Sequence, residues 1–414
     1  MTGVKQASSA DAFDSPTRAV SSLSLRDFRK RSGKLYWPLP GGIRGKEILT
    51  TDLVRRPDPY FRNHPYIRGT TFKSVVWPVV AMTEDGKDEH LALKEIPCKF
   101  APDTKEFQEE IQMEFDLLAK IRHNHIVAVV GHLLDKRPGL QGWTYGFLMY
   151  PLARQNLEEL LDEIVDYNAQ RSESQDETSA IHPKVHQLID YIPCLCRALM
   201  YLHGLKNPIR HRDVKSTNVL IDGQDVVLLA DFDIAKKYAN VDNATTQGPT
   251  AYTPKTSPQN VKDGEVRSFD SDIFGLACVF LEVATVIFGQ TRDSLYQHLA
   301  KGCKNIAFEY SQALEEGTIK SWIDHLKQVV RKDGSDAPLD RFGDVPEVYF
   351  TGIDAFLDQI WAMLNVTIDT HKGMLEEALT CFSCFSPRKC LHCQSTEVSS
   401  LACGSIVQSF ADIM

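Results

Sequence analysis

Residues 209–233, IRHRDVKSTNVLIDGQDVVLLADFD, limit the possible folds of this chain more than any other segment. Two short apolar runs, VLI and VVLL, flank the polar residues DGQD, a pattern that predicts two strands joined by a hairpin turn. Folding this hairpin brings Asn218, before the first strand, close to Asp231, after the second. An amide oxygen and a carboxylate side by side are hard oxygen ligands that suit Mg²⁺. The segment therefore predicts a magnesium site at the open end of a hairpin.

Charged side chains also occupy the loop that precedes this hairpin. Asp213 and Lys215 lie five and three residues before Asn218. The carboxylate could accept or orient the proton of an attacking hydroxyl, and the ammonium group could neutralise a phosphate during its transfer. Phosphoryl transfer requires bound metal ions, a cation on the phosphates and a group that orients the nucleophile. The segment carries residues suited to each of these parts.

Together these residues resemble two motifs of the eukaryotic protein kinase superfamily. The catalytic-loop motif is matched by His211, Arg212, Asp213, Lys215 and Asn218, and the start of the metal-binding motif by Asp231-Phe232. The resemblance implies transfer of the terminal phosphoryl group of Mg-ATP to protein substrates. A lysine two residues after Asp213 is the pattern of Ser/Thr kinases, so Ser and Thr hydroxyls are the implied acceptors. Arg212 implies control by phosphorylation of a later segment.

The upstream half of the chain carries a second part of the resemblance. Leu91-Ala92-Leu93-Lys94 is similar to the strand motif whose lysine holds the α- and β-phosphates of ATP. Glu114 lies between Ile111 and Leu118 on the apolar stripe of a predicted helix, where a lone carboxylate is costly to bury. Lys94 is the partner that we expect for Glu114; exposure of Glu114 to solvent is the alternative.

A nucleotide site between two lobes is also implied by the resemblance. Ala92 and Leu220 would enclose the adenine ring, and residues 149–153 would form the hinge. The implied nucleotide-binding residues are Gly69, Val76, Ala92, Lys94, Glu114, Met149, Leu152 and Leu220. Ordinary core packing is the alternative for any single apolar member of this set.

The hydrophobic pattern predicts an α+β, bilobal arrangement, with a small β-rich N-lobe containing one main helix and a larger, mainly α-helical C-lobe. With the motifs above, the resemblance implies a protein-kinase-like fold. Apolar runs at 72–82 and 91–96 predict strands. Five apolar residues from Leu188 to Leu202, spaced by four and three, predict a long helix. Residues 271–276, SDIFGL, resemble the family's large central helix, whose aspartate (here Asp272) anchors the backbone of the catalytic loop. The polar run 166–180 predicts a loop.

Three regions are predicted along the chain. Residues 1–59 form a disordered N-terminal extension, residues 60–380 the kinase domain and residues 381–414 a Cys-rich tail. Within the domain, the N-lobe is predicted at about 60–149 and the C-lobe at about 154–380.

Charge and composition narrow the range of partners. A net charge of −9 over 414 residues disfavours general nucleic-acid binding. The apolar stretch 273–289 is short for a membrane span and contains Glu282, so a buried central helix is expected and no transmembrane segment. Ten cysteines without a secretory signal indicate a reducing compartment. We expect a cytoplasmic location, with the nucleus as the alternative.

Several positions depart from the kinase pattern. The phosphate-covering loop, RGTTFKSVV, retains Gly69 alone, and Asp233 replaces the glycine that follows Asp231-Phe232. Ser257-Pro258-Gln259 stands in place of Ala-Pro-Glu. These departures favour the alternative function of a pseudokinase, a nucleotide-binding signalling scaffold with the same fold.

Two C-x-x-C pairs occur near the end of the sequence, formed by Cys381, Cys384, Cys390 and Cys393. Four thiolates could bind Zn²⁺ tetrahedrally. The five-residue spacer between the pairs is shorter than in common zinc modules. Lipidation of the thiols and ordinary free cysteines are the alternatives.

Overall fold

The structure is a computed structural model that describes only part of the chain. The described residues are 53–54, 75–82, 88–97, 118, 121–136, 143–173, 184–231, 236–237, 254–259, 268–301, 303, 308–332, 353–367 and 369–383.

A five-stranded antiparallel sheet forms the smaller lobe. Its strands are β1 (Leu53–Val54), β2 (Val75–Met82), β3 (Asp88–Pro97), β4 (Ala128–Lys136) and β5 (Trp143–Tyr150), in the order β1-β2-β3-β5-β4. In β3, Leu91 and Leu93 are each 2% exposed. The register places Val76 opposite Lys94, and Ala92 opposite Met149. The predicted strands are confirmed, and the pairing brings the β3 lysine to the centre of the sheet.

Eight helices build the larger lobe within the described residues. They are α1 (Leu157–Glu173), α2 (Val185–His203), α3 (Asp270–Ile287), α4 (Arg292–Ala300), α5 (Tyr310–Glu315), α6 (Thr318–Lys332), α7 (Ile353–Leu364) and α8 (Met374–Ser383). The apolar stripe predicted from Leu188 to Leu202 lies on α2 and is buried in the core. The small β-rich lobe and the larger helical lobe confirm the predicted fold class.

Helix α3 is the central element of the larger lobe. Each residue from Asp272 to Ile287 on α3 is buried, and its charged residues are Asp270, Asp272 and Glu282. A helix that is apolar on all sides is stable only inside a core, so the predicted buried helix is confirmed. Among the described residues, no helix combines the length and hydropathy that crossing a membrane requires.

Short strands lie between the sheet and the helices. They are β6 (Ala153–Asn156), β7 (Ile209–Arg210), β8 (Val219–Asp222), β9 (Val227–Leu229) and β10 (Lys236–Lys237). Strands β6, β8 and β9 form one antiparallel sheet, and β7 pairs with β10. In the β8–β9 turn, Asp222 Oδ1 accepts hydrogen bonds from the backbone N–H groups of Gln224 (2.8 Å) and Val226 (2.9 Å). The predicted hairpin is therefore present, and an Asp side chain closes its turn.

The segment before β4 joins the five-stranded sheet to this hairpin. The Val127 N–H donates to the Leu229 carbonyl, and the Leu229 N–H donates to the His125 carbonyl, both at 2.9 Å. The buried His125 ring bonds to the Val227 carbonyl at 2.8 Å. These bonds fix the end of β9 against the sheet. As a result Asp231, two residues after β9, lies next to β3.

Three boundaries differ from the sequence predictions. Residues 166–173 continue α1, although their polar composition predicts a loop. Apolar residues of the first two turns, Leu157 to Ile164, are buried and hold the helix, and later residues such as Ala169 and Gln170 favour its extension. Strand β1 lies within 1–59, and α8 continues to Ser383, beyond residue 380. Of the helix predicted around Glu114, the structure describes Leu118 and Ile121, both buried.

Candidate active site

The loop between β7 and β8 holds one carboxylate between two nitrogen donors. Asp213 Oδ2 accepts hydrogen bonds from Lys215 Nζ at 2.7 Å and from Asn218 Nδ2 at 2.9 Å. The same Nδ2 donates to the Asp213 carbonyl at 2.8 Å. Asn218 ends a 3₁₀ turn, Ser216–Asn218, that bends the chain back toward Asp213. These hydrogen bonds therefore fix the orientation of the Asp213 carboxylate.

His211 connects this loop to the residue before Asp231. Its ring is fully buried; Nε2 lies 2.9 Å from the Ala230 carbonyl, and Nδ1 lies 3.3 Å from the Asp213 N–H. A carbonyl only accepts and an N–H only donates, so the ring carries its proton on Nε2. Burial lowers the pKa of His211 and keeps the ring neutral. His211 thereby fixes the spacing between Asp213 and the end of β9.

Two residues of the site have left-handed backbone conformations. Arg212 has φ 73° and Asp231 has φ 71°, and such conformations are costly for residues other than glycine. The Asp272 carboxylate of α3 accepts from the Arg212 N–H at 2.7 Å and from the His211 N–H at 2.8 Å. His203 Nε2 lies 3.0 Å from the same carboxylate. These bonds hold the loop in a conformation that it would otherwise leave.

A neighbouring hydrogen bond and nearby positive charge keep the Asp272 carboxylate ionised, as this anchoring requires. Burial opposes its negative charge, but the hydrogen bond from His203 and the nearby charge of Arg210 bring the pKa of Asp272 below its usual value. An ionised carboxylate accepts the backbone N–H groups more strongly than a neutral one. Asp272 is the residue that the kinase resemblance implies as the anchor of the catalytic loop, and the structure shows these contacts.

An ion pair connects the sheet to the hairpin across the site. Lys94 Nζ lies 2.6 Å from Asp231 Oδ1, and the Lys94 side chain is 8% exposed. Burial opposes ionisation of Asp231, but the charge and hydrogen bond of Lys94 bring its pKa below the usual value. Lys94 is thus paired with Asp231, whereas Glu114, its expected partner, lies outside the described residues.

Several apolar residues predicted to line a nucleotide lie on β3, on its two neighbouring strands or in one cluster with Met149. Ala92 and Met149 face each other on β3 and β5. Leu220 and Met149 both pack against a small cluster that contains Val127 and Ala230. Val76, opposite Lys94, and Leu152, after β5, are half-buried. The structure therefore places Val76 and Met149 on the strands that flank β3, which carries Lys94, and packs Leu220 in one cluster with Met149. Gly69 lies outside the described residues.

Asn218 and Asp231 are suited to hold Mg²⁺. The Ala230 N–H donates to the Asn218 carbonyl at 2.9 Å, so the backbone of Asn218 is bonded to the residue that precedes Asp231. An ionised carboxylate and an amide oxygen are hard donors that fit Mg²⁺. No group of three or more His, Cys, Asp or Glu side chains with metal-binding geometry occurs within the described ranges.

The predicted zinc ligands fall mostly outside the described residues. Cys381 lies on α8, where its Sγ is 3.6 Å from the Ala355 carbonyl. The other three predicted ligands, Cys384, Cys390 and Cys393, are not among the described residues.

The segment that replaces the family's Ala-Pro-Glu is partly buried. Ser257 is 7% exposed, and Ser311 Oγ of α5 lies 3.4 Å from Gln259 Oε1. A neutral amide thus contacts a neutral hydroxyl where the family has a carboxylate. Asp233 lies outside the described residues.

Glu282, for which the sequence patterns indicate no function, contacts the catalytic loop. Ser216 of the loop donates a hydrogen bond to its carboxylate. One sequence signal could have identified it, namely a carboxylate inside an otherwise uncharged run of α3, where burial requires partners.

A small antiparallel sheet, a larger helical lobe and a charged loop between them define the class of the protein kinases. The Protein kinase domain family matches residues 77–342, more than half of the 414 residues. The chain belongs to this family.

Three curated relatives show the extent of the similarity. The mitogen-activated protein kinase kinase kinase YODA of Arabidopsis thaliana is 29% identical over 48% of this chain and 20% of its own length. The receptor-like protein kinase FERONIA of Arabidopsis thaliana is 28% identical over 58% of this chain and 24% of its own. The probable serine/threonine-protein kinase samkA of Dictyostelium discoideum is 26% identical over 42% and 24%. The chain therefore spans a fifth to a quarter of the length of these proteins.

Proposed function

We propose that this chain is a serine/threonine protein kinase, which transfers the γ-phosphoryl group of ATP to Ser or Thr hydroxyls of proteins. One observation carries the proposal. Asp213 is held between Lys215 and Asn218 on one side of the site, while Lys94 reaches Asp231 from the facing sheet. Side chains from both lobes thus supply an oriented carboxylate, two cations and a metal-binding carboxylate, which phosphoryl transfer requires.

Asp213 orients the substrate in the proposed reaction. The acceptor hydroxyl oxygen forms a bond to the γ-phosphorus, and its proton passes to the Asp213 carboxylate. The bond between the γ-phosphorus and the bridging oxygen breaks, so ADP leaves with that electron pair. Lys215, 2.7 Å from Asp213, stabilises the charge on the transferring group.

The remaining predicted site residues bind the nucleotide and its metal ion in the proposed reaction. Lys94 holds the α- and β-phosphates, with Glu114 as a further proposed partner. Ala92, Val76, Met149, Leu152 and Leu220 form the apolar surface for the adenine, and Gly69 covers the phosphates. Asn218 and Asp231 hold Mg²⁺, which neutralises phosphate charge when bound. His211 and Arg212 support the loop through the backbone contacts described above.

Ser and Thr are the proposed acceptors because of the loop sequence and the relatives. Lys215 follows Asp213 by two residues, as the Ser/Thr pattern implies. The names of samkA and of several further relatives state a serine/threonine kinase. Proteins with accessible Ser or Thr are therefore the proposed substrates.

Phosphate incorporation by the purified chain tests this proposal. The protein is incubated with radiolabelled Mg-ATP and generic acceptor proteins, beside the variants Asp213→Asn and Asp231→Asn. Each variant should lower incorporation by at least about 100-fold, because a general base and a metal ligand are lost. Asp225→Asn is the matched control, since Asp225 also has a left-handed backbone (φ 60°) but lies in the β8–β9 turn. Its activity should remain within about twofold of wild type.

The outcome also separates an enzyme from a pseudokinase. Wild-type incorporation no higher than that of Asp213→Asn would contradict the proposal. A thermal shift by ATP in the same preparation would then identify a nucleotide-binding scaffold. Asp233 and Gln259, which differ from the residues of the kinase pattern at these positions, favour the scaffold function.

A further inference from the structure

Glu282 is a buried carboxylate in the middle of α3. Its side chain is 5% exposed, and the other α3 residues from Ile273 to Ile287 are uncharged. Glu282 Oε2 accepts a hydrogen bond from the Ser216 hydroxyl. Oε1 accepts from the hydroxyls of Tyr296 at 2.8 Å and Tyr310 at 2.9 Å. Hydroxyl donors thus replace the water that burial removes.

Two cations compensate the charge of Glu282. Arg292 Nε and Lys255 Nζ each lie 3.9 Å from one of its oxygens. Burial opposes the charge of Arg292, but Glu282 and Tyr296 raise its pKa above the usual value. Burial, and then Glu282, raise the pKa of Tyr310, so its hydroxyl remains a donor. Glu282 is therefore held in place independently of the catalytic loop.

Helix α3 also contacts the middle of the loop. A Cβ atom on Gly275 would lie 2.8 Å from the Val214 carbonyl oxygen, closer than real Cβ contacts. The absence of a side chain at Gly275 allows the helix to approach the loop backbone directly. Together with the Asp272 bonds to residues 211 and 212, this contact fixes the first half of the loop.

The three contact points lie along one face of α3 and follow the order of the loop. Positions 272, 275 and 282 fall within about 80° of one another around a helix with 3.6 residues per turn. Ten residues of helix rise about 15 Å, and the five residue steps from 211 to 216 span at most about 18 Å. The loop therefore runs along the helix, with Asp272 near its start and Glu282 at Ser216.

We propose that Glu282 is a positioning residue of the catalytic loop and acts through the Ser216 hydroxyl. Ser216 begins the 3₁₀ turn that places Asn218 Nδ2 against Asp213. Without the bond to Glu282, the turn moves and the Asp213 carboxylate loses its fixed orientation. The proposal rests on the proposed function, because the groups so positioned are those of phosphoryl transfer.

A pair of hydroxyl deletions tests the proposal in the full chain. Ser216→Ala and Tyr310→Phe each remove one hydroxyl that donates to Glu282, but only Ser216 belongs to the loop. Ser216→Ala should lower kcat by about tenfold, with KM for ATP within about twofold of wild type. Tyr310→Phe should leave kcat within about twofold while lowering thermal stability.

Hydrogen exchange separates this proposal from the proposed function. In Ser216→Ala, amides of residues 211–218 should exchange faster than in wild type, and in Tyr310→Phe they should not. This comparison can be read even if the wild-type protein transfers no phosphate, an outcome that would overturn the proposed function alone. Equal exchange in both variants, or equal losses of kcat, would overturn the positioning role of Glu282.

Discussion

The catalytic loop and the sheet that faces it hold their charged side chains by different means. The loop is bonded along α3, with the Asp272 carboxylate on its backbone N–H groups and Glu282 on Ser216. Both carboxylates are almost fully buried. From the sheet, Lys94 reaches the hairpin through its ion pair with Asp231 at 2.6 Å. The loop is anchored by its own lobe, whereas Lys94 pairs across the two lobes.

This difference separates two requirements of phosphoryl transfer. Orientation of the nucleophile requires a fixed carboxylate, and the hydrogen bonds of the loop to Asp213 and to α3 provide one. The phosphate-binding lysine must instead exchange its protein partner for phosphate oxygens when ATP binds. The side-chain ion pair between Lys94 and Asp231 permits that exchange more readily than carboxylate bonds to backbone N–H groups would. Loss of an anchor should therefore affect both stability and rate, and loss of Lys94 mainly nucleotide binding.

Removal of the Asp272 carboxylate should have the largest effect. Asp272→Ala leaves the N–H groups of His211 and Arg212 and the His203 ring without their acceptor. We expect a loss of about 3–5 kcal/mol in the free energy of unfolding, because buried and half-buried donors lose a buried, charged acceptor. The displaced loop should lower kcat at least about 100-fold. Urea unfolding and phosphate incorporation measure the two effects.

Asp270→Ala is the matched control on the same helix. Asp270 Oδ1 accepts from the Ser268 N–H at 2.9 Å, and Asp270 lies two residues before Asp272. Its loss should lower stability by about 1–2 kcal/mol, as for a helix cap. Equal effects on kcat would show that general damage to α3, rather than the anchor, lowers activity.

Replacement of Lys94 should impair nucleotide binding, the function assigned to the sheet that faces the catalytic loop. Lys94→Met removes the charge that pairs with Asp231, so incorporation should fall at least about 100-fold and the thermal shift by ATP should disappear. Amide exchange in residues 211–216 should stay as in wild type, because α3 still holds the loop. Lys327→Met is the control, since Lys327 is also ion-paired, to Asp358 at 2.5 Å on the surface. Faster exchange of the loop amides in Lys94→Met would show that the Lys94–Asp231 ion pair also holds the loop, which contradicts separate anchoring of the loop and the sheet.

Buried neutral His211 should make stability fall in mild acid. Burial lowers its pKa, so the folded state resists a proton that the unfolded chain accepts below about pH 6.5. Its contribution is complete above that pH and declines below it, by up to about 1.4 kcal/mol per pH unit. Urea midpoints between pH 8 and 5.5 measure this slope. His211→Gln should flatten it, and replacement of the exposed His186 by Gln should not.

The proximity of the loop residues to one another could be predicted from the sequence because they are close along the chain. Asp213, Lys215 and Asn218 lie within six residues, so one turn brings them together. The hairpin followed from two apolar runs and a polar turn, and the anchor Asp272 from the kinase resemblance. Local patterns of this kind need little information about tertiary packing.

Contacts between distant elements could not be predicted in the same way. The pairing of Lys94 with Asp231 joins residues 137 positions apart. The sequence patterns instead indicate Glu114 as the ion-pair partner of this lysine. Glu282 was noted only as a charge in an apolar run, because its partners come from four separate elements. The polar end of α1 was predicted as a loop because its apolar stripe stops at Ile164. Such features depend on which elements pack together.

The outer end of the hairpin provides the smallest expected effect and the closest test of the comparison. Arg154 on β6 pairs with Asp225 in the β8–β9 turn at 2.9 Å, and both side chains are about one-third exposed. Arg154→Gln should lower the free energy of unfolding by less than about 1 kcal/mol, a difference that high salt reduces. Incorporation should stay within about twofold of wild type, because the turn lies at the opposite end of the hairpin from Asp231. A tenfold loss of activity would instead mean that Asp231 is positioned through the whole hairpin, and that the metal-binding side of the site is anchored as firmly as the loop.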